Sequence, residues 1–462
     1  MMDEKEMKYQ FMTILTETHP GLTFEEYRDC CIFLLFFQYL CLRYDDRLDE
    51  EYKLNMMVRL AIRGKLQMDS FLRFLQNTSA QLHLYCSDFY LTDFSFYKQL
   101  LDVQPLEKQK SYARFFRKII KKIEAWEKEE CLYECYPACF EALVQEFASM
   151  KKDTAIPANI VELYQAFGGE HLRKDGISVF QPEFRYGTLL RAVVGDSSQP
   201  KLFGYEKSDE YIEYMTMLSF MYEIPKEQWF FVDQKQWLGT KHFLGKADRV
   251  CIYMPDGVEA GDYLTAEEEN KMVKKLFNLR TKGELPLLLS AFPILKEDGD
   301  LMAILPSALL YREGKEAQVR KYLVEDMNCL DTIVLLPDSV FPSLGQQEVF
   351  LYIKKNRKQK DIMFFDCSTC DSFDSDLIKE IKKARKSRKD VTGFCSCVQQ
   401  EEIQENDYNL NLPRYIKQVV GFEVVDINEK RKRIAEIEQE LKEIDQRIEM
   451  YRCDLELDRF VR

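Results

Sequence analysis

Apolar positions recur at helical spacing through the first third of the chain. Amphipathic stretches run from Phe24 to Leu48, Leu54 to Leu75 and Ser111 to Trp126, with few Gly or Pro to interrupt them. The pattern predicts a helical domain over residues 1–150. From about residue 160 the period shortens. Arg249 to Tyr253, Asp300 to Leu305, Leu330 to Leu336, Val349 to Lys354 and Asp361 to Phe365 read as strands. A helical stretch, Ala266 to Leu279, separates the first from the second, and Gly314 to Glu325 separates the second from the third. That alternation predicts a mostly parallel sheet covered by helices over residues 151–420. The last two strands lie close enough for an antiparallel meander at one edge.

The C-terminal stretch, 421–462, has a seven-residue period. Ile427, Ile434, Leu441, Ile448 and Leu455 repeat, with Ile437, Ile444 and Tyr451 three residues on, and Asp426 with Glu429 has capping-box spacing. The pattern predicts a coiled-coil helix whose seam, Ile427, Ile434, Ile437, Leu441, Ile444 and Ile448, is buried against something. Either the N-terminal helices or a partner helix would serve, and a narrow terminal seam favours the partner.

Composition narrows the function. The 462 residues carry 65 Lys+Arg against 78 Asp+Glu, a net charge of −13, so any nucleic-acid contact has to come from a local patch. Nothing at the N-terminus has the pattern of a signal peptide, and the longest apolar run, Cys30 to Leu42, is too short for a bilayer. A cytoplasmic protein without a membrane span is expected. Glycine is scarce at 18 residues, about half its usual share, which is unusual for a protein that holds a nucleotide on bare backbone.

The 14 cysteines are then expected to be free thiols. Cys131, Cys135 and Cys139 share helical spacing, although Pro137 interrupts it. Cys367, Cys370, Cys395 and Cys397 supply four sulfurs, enough for tetrahedral zinc. Their placement on strands favours plain packing instead, and no metal is expected.

Two basic runs stand out. Lys108 to Lys122 holds seven Lys or Arg interleaved with Tyr112, Phe115 and Phe116, and Lys379 to Lys389 holds seven more. A solvated helix face over core aromatics is one reading. A phosphate-tracking patch is the other, with Lys108, Lys110, Arg114, Arg117, Lys118, Lys382, Lys383, Arg385 and Lys386 as its candidates.

The second half resembles the modification (N6-adenine DNA methyltransferase) subunit of type I restriction–modification systems. Gly299-Asp-Leu-Met-Ala-Ile-Leu-Pro306, Leu330-Asp-Thr-Ile-Val-Leu-Leu-Pro337, Val349 to Lys355, Met363 to Asp366 and Leu412-Pro-Arg-Tyr415 carry the likeness in order. Leu22 to Arg47 and the terminal helix extend it. The resemblance implies a Rossmann-like class I methyltransferase sheet, mostly parallel with an antiparallel edge, between an N-terminal helical domain and a C-terminal assembly helix. It also implies S-adenosylmethionine as cofactor in active relatives, and a helix that bundles with the specificity subunit.

The residues that should do chemistry depart from that pattern. The family follows an Asp with a Cys-Gly-x-Gly-Gly-type turn, and the corresponding place here is read as Val194-Gly-Asp-Ser-Ser-Gln-Pro200. The upstream Phe-Thr-Pro becomes Phe180-Gln-Pro182. Glu206 remains as the acid that would hold ribose hydroxyls, so the vestigial cofactor candidates are Phe180, Pro182, Gly195, Asp196 and Glu206. At the catalytic Asn-Pro-Pro-Phe this chain offers Tyr253-Met254-Pro255-Asp256. Tyr253 has no amide oxygen for the adenine amine, and Asp256 has no face to stack on a flipped base.

The expectation is a catalytically inactive methyltransferase-like subunit that binds no cofactor. It would contribute assembly and DNA positioning beside an active methyltransferase subunit, a specificity subunit, or both. An active adenine-N6 methyltransferase with aberrant motifs is the alternative, and a stand-alone interaction protein reusing the fold is another.

Overall fold

The computed structural model describes Tyr9, Thr13 and residues 21–103, 106–128, 135–150, 156–168, 176–194, 197, 199–233, 244–257, 283–342, 344–416 and 427–454. The described residues up to Ile416 belong to one compact unit, and those of the terminal helix to a second.

The N-terminal region is helical: α1 Phe24–Arg43, α2 Leu54–Ile62, α3 Met68–His83, α4 Ser95–Leu101, α5 Leu106–Lys128, α6 Tyr136–Met150 and α7 Ala158–Gly168. Thr23 starts α1 through a capping box, its Oγ1 accepting from Glu26 N while Glu26 Oε2 accepts from Thr23 N at 2.9 Å. The run from Cys30 to Cys41 is buried on every side, so the amphipathic spacing expected over Phe24 to Leu48 gives way there to a fully buried helix. The stretch read as continuous from Leu54 to Leu75 is two helices. Gly64 takes a left-handed φ of 67° between them, a turn that a side chain would strain.

Nine strands form one sheet: β1 Ser178–Pro182, β2 Lys201–Glu206, β3 Trp229–Asp233, β4 Ala247–Tyr253, β5 Leu295–Pro306, β6 Leu330–Leu335, β7 Glu348–Lys354, β8 Ile362–Asp366 and β9 Cys395–Val398. Their order is β3-β2-β1-β4-β5-β7-β6-β8-β9. Pairing is parallel from β3 across to β5, while β7 runs antiparallel between β5 and β6. The expected edge meander of β7 with β8 is therefore replaced. β8 pairs in parallel with β6, and the antiparallel edge is β8 with β9. Glu348 to Ile353 of β7 are all buried, as a strand covered on both faces and both edges requires.

The connecting helices are α8 Thr188–Ala192, α9 Asp209–Met221, α10 Glu284–Ala291, α11 Lys315–Lys321, α12 Ser375–Ser387 and α13 Gln400–Glu405. The expected helix at 266–279 lies outside the described residues. One apolar cluster takes in Phe33, Phe36 and Phe116 of the helical region together with Tyr253, Met302 and Phe350 of the sheet. A second covers the opposite sheet face with Val250, Leu301 and Leu351. Polar ties join the same elements. Arg28 of α1 is 2% exposed and pairs with Glu210 of α9 at 2.8 Å, and Tyr39 Oη donates to Met221 O at 2.9 Å.

The second unit holds α14, Ile427–Asp454. Its seam residues Ile434, Ile437, Leu441, Ile444 and Ile448 are 43–56% exposed. The side chain of Ile427, Asp426 and Leu455 lie outside the described residues.

Candidate functional site

In a parallel sheet the ligand-binding end is where the strands finish and loops begin. Ser178–Pro182 is the interior strand β1, paired with both β2 and β4. This corrects two expectations. Phe180 and Pro182 lie on the first strand itself, not upstream of it, and the segment leaving its end is Glu183 to Gly187. Val194 follows α8 on the way into β2, at the other end of that strand, and Gly195 with Asp196 lies outside the described residues. The reading from spacing alone missed this because the strand is five residues long and has Gln and Pro in it.

The loop after β1 is tightly wound. Glu183, Arg185 and Gly187 have φ of 46°, 50° and 68°, all left-handed. Arg185 thus holds a left-handed backbone conformation that glycine adopts freely, with a long side chain attached. Phe184 turns inward onto Phe231, with ring centroids 5.0 Å apart, and covers Gly204, where an added Cβ would clash with the Phe184 ring. Tyr186 packs between Tyr211 and Tyr214 at 4.8 and 5.7 Å.

Glu206 ends β2 as expected, but it faces its own backbone. Its Oε2 accepts from Arg185 N and its Oε1 from Lys207 N, each at 2.7 Å, and the residue is 3% exposed. Burial raises its pKa against the pull of those two N–H groups.

Tyr253 closes β4 where the catalytic tetrapeptide was placed, and Met254 N donates to Ile304 O at 2.9 Å. Tyr253 and Met254 are buried, and the Tyr253 ring lies 6.2 Å from that of Phe341. Asp256 is the exposed end of this turn. Its Oδ2 is 3.8 Å from Arg185 Nη2, so the guanidinium reaches from the β1 loop to the β4 turn.

Antiparallel β7 brings two further residues to this end. Gln346 Nε2 donates to Pro255 O at 2.9 Å, which sets a side-chain amide against the tetrapeptide. Glu348 is 1% exposed, with one carboxyl oxygen lacking a partner. Burial and the charges of Asp338 and Asp256 push its pKa up to about 8. Neither residue could be found from local pattern, since a long-range strand pairing places them there.

The remaining candidates separate. On α5, Lys108 pairs with Glu26, Arg114 Nη2 donates to Ser111 Oγ at 3.1 Å, and Arg117 Nη1 donates to Gly64 O at 3.2 Å. Arg114 and Lys110 are exposed, while Tyr112, Phe115 and Phe116 belong to the core. A groove of about 1280 Å³ runs beside Lys108, Lys110, Arg114 and Arg117. A smaller hollow of about 380 Å³ adjoins Arg117 and Lys118.

Arg385 is a correction among the DNA candidates. Its Nε donates to Asp331 at 2.9 Å and its guanidinium lies over Tyr352 and Phe167, so it ties α12 to the sheet. Lys383 and Lys386 on the same helix are exposed, and Lys382 is half-buried.

The four sulfurs considered for zinc do not converge. Cys397 Sγ donates to Asp361 Oδ2 at 3.0 Å, and Cys395 Sγ reaches Lys389 O at 3.5 Å. Among the described residues no group of three or more Cys, His, Asp or Glu could hold a metal ion.

The family model described as N-6 DNA Methylase matches residues 139–421, more than half of the chain. The chain belongs to the N-6 DNA methylase family. Among curated relatives of this family, the type I restriction enzyme MpnII methylase subunit of Mycoplasma pneumoniae is 29% identical over 191 residues, 38% of this chain and 34% of that one. The MjaVIII methylase subunit of Methanocaldococcus jannaschii is 35% identical over 139 residues, 27% of this chain and 24% of that one. The matched stretches thus span about a quarter to a third of these relatives' lengths. A type I restriction-modification methyltransferase subunit from Streptococcus thermophilus has the same fold. The TM-score is 0.69 at 19% identity, covering 90% of this chain and 100% of that one. Among the described residues no helix is long and apolar enough to cross a membrane.

Proposed function

We propose that this N-6 DNA methylase family member serves a type I restriction–modification-like complex as a subunit that transfers no methyl group. Its contribution is assembly and the positioning of DNA, in the cytoplasm. The observation that carries this reading is Arg185. Its backbone N–H occupies Glu206, the acid that would hold a cofactor's ribose, and its side chain extends toward Asp256 across the end of the sheet. A buried, hydrogen-bonded Glu206 and a long side chain on a left-handed residue of this loop do not fit S-adenosylmethionine. Tyr253 and Asp256 do not fit an amine acceptor and a stacking ring.

Assembly falls to α14, whose exposed Ile and Leu seam suits a helix of a specificity or methyltransferase subunit. DNA positioning falls to α5, whose exposed Lys and Arg border the large groove. The division into residues 1–150, 151–420 and 421–462 is proposed as this division of labour. Calorimetry with S-adenosylmethionine, together with methyl transfer from labelled cofactor to DNA, tests the reading. Neither heat nor label is expected, and micromolar binding or turnover overturns it.

One observation favours the active reading. Gln346, anchored by its Nε2 on Pro255 O, has a carbonyl oxygen that could accept an adenine amine in place of the missing Asn. If methyl transfer is found, Gln346→Ala abolishes it on this reading.

A further inference from the structure

We propose that Cys367 and Cys370 are a reversible dithiol–disulfide pair, closing across their turn on reaction with a low-molecular-weight disulfide. The two residues bracket Ser368-Thr369 directly after β8, and the turn is closed by Cys370 N donating to Cys367 O at 3.0 Å. Cys367 is fully buried and held by its own N–H on Leu335 O at 3.0 Å, while Cys370 is half-buried at the surface. Ser368 N and Oγ both donate to Asp366 Oδ1, which fixes the turn's entry. The closed turn thus joins a half-buried cysteine that an oxidant can reach to a buried one three residues before it. The neighbouring Cys395 and Cys397 thiols are engaged on Lys389 O and Asp361 and face other partners.

The chemistry is thiol–disulfide exchange. The Cys370 thiolate attacks one sulfur of the small disulfide, whose S–S bond breaks and releases one thiolate. The Cys367 thiol then gives up its proton and attacks the Cys370 sulfur, expelling the second thiolate. Two electrons pass from the protein dithiol to the small disulfide, and the two protons end on the two released thiols. Burial holds both protein thiols above the ordinary range. Closure should therefore be slow at neutral pH and about tenfold faster per pH unit above it, while the attacking thiol titrates. The closed turn would fix the start of the segment that carries Phe373, whose carbonyl accepts from Asn159 of α7 at 2.9 Å.

The test uses the full chain, glutathione disulfide as the probe, quenching with a maleimide, and peptide mapping. The expected result is loss of two alkylatable thiols, a 367–370 internal disulfide lighter by two hydrogens, and full reversal by dithiothreitol. Cys367→Ser should stop at a glutathione adduct on Cys370, and Cys370→Ser should leave Cys367 free, with folding of each checked by circular dichroism. A stable adduct on wild-type Cys370 overturns the proposal. So does a bond to Cys395, or two unreacted thiols at pH 9 under conditions that fully oxidise free dithiothreitol.

Discussion

The main-chain N–H of Arg185 donates to the Glu206 carboxylate at 2.7 Å, joining the loop after β1 to the end of β2. Lys207 N–H supplies the second bond. Glu206→Ala would strand two part-buried backbone donors, each costing at most the about 1–3 kcal/mol of a fully buried unsatisfied group. Urea unfolding of the variant is expected to show a loss of about 2–4 kcal/mol. A loss under about 0.5 kcal/mol would mean that these bonds do not hold the loop.

Asp331 sits among Arg385, Arg388 and Arg357. Burial alone would raise its pKa, but the three guanidinium groups override this and hold it at about 2. The folded carboxyl is more acidic than the unfolded one, so its contribution is complete above about pH 4. It is lost as pH falls toward 2, about 2 kcal/mol in all. Asp331→Asn should remove that part of the acid dependence, read from urea midpoints between pH 2 and 5.

Glu348 behaves in the opposite sense. With a folded pKa of about 8 it keeps its proton where the unfolded chain has lost it. Its contribution is complete below the ordinary carboxylate range and falls as pH rises through that range toward 8. Glu348→Gln should be the more stable protein at pH 8 and level with wild type at pH 4. Equal curves at both pH values would show that the carboxyl is solvated.

Charge reversal of Arg114 on α5 should weaken duplex DNA binding about equally for all sequences. The slope of log K against log salt should fall by about one for each phosphate that is no longer neutralised. Fluorescence anisotropy at several salt concentrations measures both. An unchanged slope removes α5 from the DNA-facing surface.

Truncation after Val420 should abolish co-purification with a co-expressed specificity subunit while the remaining chain keeps its melting transition. Ile437→Glu with Ile444→Glu should do the same without shortening the chain, since both lie exposed on the α14 seam. Retained co-purification would place the assembly surface elsewhere.

The sheet and the helical region were legible because their signals are local. Runs such as Val349 to Ile353 are continuous and apolar, and α1 is bounded by a Thr-x-x-Glu capping box. The turn from Tyr253 to Asp256 could be located because the apolar second half of β4, Val250 to Tyr253, leads straight into it. The β1 loop was misplaced because Ser178–Pro182 is short and contains a buried Gln and a Pro, which obscure a strand. Gln346 and Glu348 reach the site through the pairing of β7 with β5, and no local spacing reports such a pairing. Arg385 read as a surface cation because its run is basic. Its partner, Asp331, lies 54 residues away.

The reversal of β7 has an evolutionary consequence. Parallel neighbours need a long crossover, whereas an antiparallel pair is closed by any turn that spans the gap. Outside its core residues Leu336, Val340 and Phe341, the connection from β6 to β7, residues 336–347, is therefore free to lengthen or change composition without disturbing a crossover helix. It also delivers Gln346 to the tetrapeptide. Descendants of this chain can thus rewrite what meets the Tyr253 turn by editing one hairpin, leaving the nine-stranded frame untouched.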